Sequence, residues 1–131
     1  MPTSTRRAVA ARVYTWLTAL SVLFQWCLAC GLPWGELAWG GAYPGTLPSS
    51  MRWASFGASI LLLGMGWVVR AQAGLLASRH QPHVQKLIWA VVTYCALGIV
   101  ANLATPSFWE RVLWAPVVTL MFATSLMVAK D

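Results

Sequence analysis

Cys27 and Cys30 form a C-x-x-C at the end of the first apolar stretch, the spacing of dithiols that cycle between thiol and disulfide. At that depth in a four-span membrane protein such a pair could pass electrons to a quinone. The relay needs a second pair on the same side, however, and the one remaining cysteine, Cys95, falls inside the third stretch. The competing reading is the ordinary one for free cysteine, a small buried apolar side chain. A second group is ionic: Glu36, Arg52, Glu110 and Arg111 stand among Trp34, Trp39, Tyr43, Trp53, Trp109 and Trp114. Ion pairs of Glu36 with Arg111 and of Glu110 with Arg52 would clamp residues 33–52 onto the following helix starts. The same charges among aromatic rings could instead hold a lipid headgroup or small amphiphile, with Trp34, Glu36, Trp39, Arg52, Trp109, Glu110 and Arg111 as the binding set. His80 and His83 are two imidazoles with Pro82 between them and no Cys, Asp or Glu beside them, short of a metal site's ligand count. They read as solvated loop residues, and no metal or cofactor is expected.

The elements that must position these groups are four runs, residues 13–32, 53–69, 87–103 and 112–129, none of which contains Asp, Glu, Lys or Arg. A charge at the bilayer centre costs about 2.5–3.5 kcal/mol even on insertion scales, so a chain built for lipid keeps its charges between the runs. With 59% hydrophobic and 9% charged residues, the composition excludes an ordinary soluble domain. Runs of 17 to 20 residues match the roughly 30 Å hydrocarbon core. The expected fold is an all-α, single-domain bundle of four transmembrane helices spanning residues 1–131.

The net charge of +6 follows topology and does not mark nucleic-acid binding. Arg6, Arg7, Arg12, Arg70, Arg79, Lys86 and Lys130 fall on one side, and Arg52 and Arg111 with Glu36 and Glu110 on the other. The positive-inside rule then places both termini and the middle loop in the cytoplasm of a bacterial inner-membrane protein. The first run is longer than a signal-peptide core and lacks an A-x-A-like site, so it reads as an uncleaved anchor.

Along the chain, residues 1–12 are expected to fray until the helix takes hold near Val13. Gly31 and Pro33 should end the first helix. Residues 33–52, rich in Gly, Pro and aromatics, should form an ordered outer loop. The serines after Pro48 offer an N-cap for the second helix, whose small face of Ala54, Gly57, Leu61 and Gly64 would admit a close neighbour. For the fourth helix, either Thr105 caps with Pro106 at the first position, or Ser107 and Glu110 form a capping box. Pro116 falls inside that helix. Gln25, Thr18, Ser59, Thr93 and Asn102, the polar groups within the spans, are expected to make interhelical hydrogen bonds. A first span without an acid argues against proton-coupled antiport.

The segments Pro33-Trp34-Gly35-Glu36 with Gly40-Gly41, Leu47-Pro48-Ser49-Ser50-Met51-Arg52, and Asn102-Leu103-Ala104-Thr105-Pro106-Ser107 with Glu110-Arg111 and Trp114-Ala115-Pro116-Val117 resemble a group of small four-span bacterial membrane proteins of unassigned function. The resemblance covers nearly the whole chain and implies the four-helix fold, without implying a reaction, ligand or partner. The expected function is non-enzymatic: binding of membrane lipid, a small amphiphile or a membrane-protein partner, including a second copy of the chain, at the Trp-rich outer face. The alternatives are a quinone-linked thiol-disulfide oxidoreductase using Cys27 and Cys30, and a small dimeric transporter.

Overall fold

A computed structural model describes residues 3–76 and 82–131. It contains four helices, α1 (Thr3–Ala29), α2 (Ser49–Gln72), α3 (Pro82–Ala104) and α4 (Phe108–Lys130), with two 3-10 turns, Gly35–Leu37 and Trp39–Gly41, between α1 and α2. There is no strand among the described residues. All four helices are long and apolar enough to cross a membrane. Arg6 Nη2 lies 3.9 Å from Asp131 Oδ1, so both chain ends share one end of the bundle, called here the terminal end. The α1–α2 loop and the α3–α4 turn form the loop end.

The helices run well past the apolar runs. Residues 3–12 are the opening turns of α1 and not a frayed tail. Ala and Arg are strong helix formers, and Ala10, Ala11 and Tyr14 are fully packed, so tertiary contact carries the helix beyond the lipid-soluble stretch. Pro82 opens α3, a position where its missing N–H costs nothing. His83 therefore stands exposed in a helical first turn and not in a loop, while His80 lies outside the described residues.

Caps follow the backbone chemistry. At the end of α1, Gly31 adopts φ +97°, Leu32 N–H donates to the Cys27 carbonyl and Gly31 N–H to that of Leu28, both at 3.1 Å. This paired arrangement satisfies the last carbonyls of the helix. Gly74, Leu75, Arg70 and Ala71 repeat it at the end of α2. The start of α2 differs from expectation. Pro48, and no serine, is the N-cap, its carbonyl accepting from Met51 and Arg52 N–H, with Ser49 and Ser50 already in the first turn. For α4, Ser107 is the N-cap, not Thr105. Pro116 lies within α4 without ending it.

Around the bundle, α1 packs closely on α2 and α4, and α3 on α4; the α2–α3 side of the ring is the least packed. One core, built from Tyr14, Met65, Val69, Ile88, Val91, Cys95, Met121 and Val128, fills the terminal half. Tyr14 Oη lies 4.0 Å from Cys95 Sγ within it. A second, smaller core of Phe24, Leu28, Ala38 and Leu47 lies under the loop. The buried positions of α3 stop at Cys95, and those of α4 begin only at Met121. The loop-end halves of α3 and α4 thus contribute no fully packed residue.

The small face proposed for α2 is not its packing face. Gly57, Leu61 and Gly64 are exposed, and a Cβ added at either glycine would meet no atom within 4 Å. The helix packs instead through Ser55, Ser59, Met65, Gly66 and Val69. Trp26 Nε1 donates to Ser59 Oγ at 2.9 Å, and that hydroxyl donates to the Phe56 carbonyl at 2.6 Å. Inside lipid, indole and hydroxyl donors need partners, and these serines supply them where a glycine cannot.

Candidate functional site

The loop between α1 and α2 is built by glycines. Gly35 N–H donates to the Gly45 carbonyl at 2.9 Å, and a Cβ at Gly35 would stand 1.9 Å from the Tyr43 carbonyl oxygen. Only glycine lets the loop close there. Trp39, Gly40 and Gly41 follow with φ of +53°, +70° and +72°. For a tryptophan this left-handed conformation costs on the order of 1 kcal/mol or more, so the surroundings must hold it. They do: Trp39 Nε1 donates to Ser55 Oγ at 3.1 Å.

Hydrogen bonds to backbone carbonyls, and not ion pairs, dock the loop. Ser107 Oγ donates to the Glu36 carbonyl at 2.7 Å, Trp114 Nε1 to the Leu37 carbonyl at 3.0 Å, and Thr46 Oγ1 to the Gly31 carbonyl at 3.1 Å. Arg52 Nε donates to the Ala29 carbonyl at 2.9 Å and Arg111 Nη2 to the Thr105 carbonyl at 2.7 Å. Among the described residues, neither Glu36 nor Glu110 pairs with Arg52 or Arg111. The expected ion-pair clamp is not formed; each arginine instead donates one N–H to a carbonyl at a helix C-terminal end, a group that otherwise lacks a partner.

Glu110 belongs to an expanded capping box. Ser107 Oγ accepts from Glu110 N–H at 3.2 Å, as expected, but the carboxylate does not return to Ser107. Thr105 stands between them, accepting from Ser107 N–H at 3.3 Å and donating its hydroxyl to Glu110 Oε2 at 2.8 Å. The carboxylate accepts one hydrogen bond in either arrangement, and Glu110 Oε1 receives none from the described residues.

Glu110 also lines a cavity of about 630 Å³ at the loop-end half of the bundle. Its walls come from all four helices and the loop: Phe24 and Gln25 of α1, Trp39 above, Ala58 and Leu62 of α2, Leu97 and Asn102 of α3, Glu110 and Trp114 of α4. Tyr94, Leu97 and Ala101 line it and are also exposed on the bundle surface, so it opens outward along α3, beside the loosely packed α2–α3 seam. Phe24 sets the aromatic wall, edge-on to Trp114 with centroids 4.7 Å apart and stacked on Trp34 at 6.2 Å. Gly98 also lines the cavity, and a Cβ there would come within 2.8 Å of Val118 Cγ2, so this glycine sets the α3–α4 approach.

Of the residues expected to bind, Trp39 and Glu110 line the cavity, and Trp34 backs its Phe24 wall. Glu36, Trp109 and Arg111 are exposed outside it, and Arg52 is tied to the end of α1. Cys27 is half-buried and Cys30 exposed at the loop end, both free thiols, while Cys95 is buried in the terminal-half core. Gln25 and Asn102 do not make the interhelical bonds expected of them. Asn102 Nδ2 donates to Gly98 of its own helix at 2.8 Å, and Gln25 Oε1 is buried without a partner. Their sequence signal was two amides near the same end of separate charge-free runs; their shared cavity was not visible in it. No family model, curated protein or solved structure matches the chain.

Proposed function

We propose that this is a non-enzymatic inner-membrane protein that takes a single-chain amphiphile from the bilayer into the cavity at its loop end. The observation that carries the reading is the cavity itself. Its volume lies in the range of small-molecule sites, about 300–1,000 Å³, and it joins an apolar depth to a few polar groups at one end. An apolar chain lying along Leu62, Leu97 and Val118 would leave its head group beside Asn102, Thr105 and Glu110. The docked loop roofs that end, and the α2–α3 seam supplies a lateral path for a molecule already dissolved in lipid. The basic residues at the terminal end support an orientation with that end in the cytoplasm and the cavity in the outer leaflet.

The test is native mass spectrometry of the detergent-released protein with dodecanol, dodecylamine or dodecanoate added in turn. The expected result is one adduct per chain with at least one of them, lost in Ala58→Phe, which fills the cavity from α2. Equal adduct formation by wild type and Ala58→Phe would remove the cavity as the site.

A further inference from the structure

The polar atoms around the cavity are unbalanced. Most of its donors are already spent on the protein. Trp39 Nε1 serves Ser55, Trp114 Nε1 serves Leu37, the Thr105 hydroxyl serves Glu110, and the Ser21 hydroxyl serves Leu17 of its own helix. Gln25 Nε2 and the Tyr94 hydroxyl are the chief donors left. The carboxylate and amide oxygens are freer: Glu110 Oε1 and Asn102 Oδ1 receive no hydrogen bond from the described residues. Glu110 is also the one formal charge in the lining, which contains no Lys or Arg. Arg111, the nearest cation in sequence, is exposed and engaged with the Thr105 carbonyl. An anionic head group would meet a carboxylate and a free amide carbonyl, and a purely apolar molecule would leave that carboxylate without a counter-ion.

From this we infer that the cavity selects a long-chain amine, its ammonium held by Glu110, with Asn102 as the neutral acceptor and Trp114 and Phe24 as the aromatic wall. The inference rests on the binding reading above and specifies its ligand. The lining contains each kind of group an ammonium uses: a carboxylate counter-ion, a neutral acceptor and aromatic rings. Aromatic faces attract cations and repel carboxylates, so the rings add to the discrimination. A free amine is favoured over an aminophospholipid because the phosphate of the latter would approach Glu110 as a like charge.

The same native mass spectrometry titration decides it, using dodecylamine, dodecanol, dodecanoate and lysophosphatidylethanolamine with wild type and Glu110→Gln. The expected order in wild type is dodecylamine well ahead of dodecanol, with dodecanoate weakest. Glu110→Gln should weaken dodecylamine about tenfold, the loss of one charge-assisted contact, while leaving dodecanol unchanged. Unchanged dodecanol binding also reports that the variant is folded. Equal binding of amine, alcohol and carboxylate in wild type would overturn this inference and leave the binding reading standing. Preference for lysophosphatidylethanolamine over dodecylamine would overturn the choice of a free amine. Absence of any saturable adduct would overturn both.

Discussion

Trp114 of α4 donates its indole N–H to the Leu37 carbonyl at 3.0 Å, joining residues 77 apart in the chain at the roof of the cavity. Its ring meets Phe24 edge-on, so one side chain both pins the loop and forms the aromatic wall. Replacing it with phenylalanine keeps a ring and deletes the donor. Trp114→Phe should destabilise the protein by about 1–2 kcal/mol, because the Leu37 carbonyl is left without a partner. Chymotrypsin should then cut faster within residues 33–47. An unchanged cleavage rate would show that the bond does not hold the loop.

Gly35 and Gly45 separate steric closure from backbone strain. A Cβ at Gly35 collides with the Tyr43 and Gly45 carbonyls, whereas one at Gly45, at φ +81°, meets nothing within 4 Å. Gly45→Ala should cost only the left-handed penalty, about 1–2 kcal/mol, and Gly35→Ala distinctly more. Thermal unfolding in detergent measures both, and equal midpoints would contradict the loop geometry.

How much of this was legible in the sequence differs by element. The four spans were, because charge exclusion from lipid is a strong composition signal. The glycine end of α1 was legible as local chemistry, whereas the matching end of α2 at Gly74 was not read from the sequence. Helix starts were less legible: α1 begins ten residues before its apolar run because Ala10, Ala11 and Tyr14 pack against other helices, a tertiary effect. The candidate site was half legible. Trp39 and Glu110 stood out by type, but ion pairing of Glu36, Arg52, Glu110 and Arg111 overlooked the free helix-end carbonyls that compete for arginine donors. Gln25 and Asn102 could not be placed because a cavity depends on which helix sides fail to meet.

Gln25 offers a test of what a buried, unpartnered acceptor costs. Its Oε1 is buried without a partner, a condition that costs about 1–3 kcal/mol. Gln25→Leu should therefore raise the unfolding midpoint of the protein. A lower midpoint would mean the amide is satisfied in the membrane protein as it exists.

The three thiols should differ in reactivity by burial alone. Maleimide should label exposed Cys30 first, half-buried Cys27 more slowly, and Cys95 only on unfolding. Mass spectrometry of the labelled peptides gives the order directly. Cys27→Ser with Cys30→Ser should leave amphiphile binding unchanged, since neither residue lines the cavity.

Photolabelling with a dodecylamine that carries a diazirine on its chain tests the cavity most directly, because the adducts record where the chain rests. Labels should concentrate on Leu62, Leu97, Ala101 and Val118, and unlabelled dodecylamine should compete them away. Adducts spread evenly over the outward-facing Trp16, Leu23, Trp53 and Leu63, without competition, would contradict a binding cavity in this bundle.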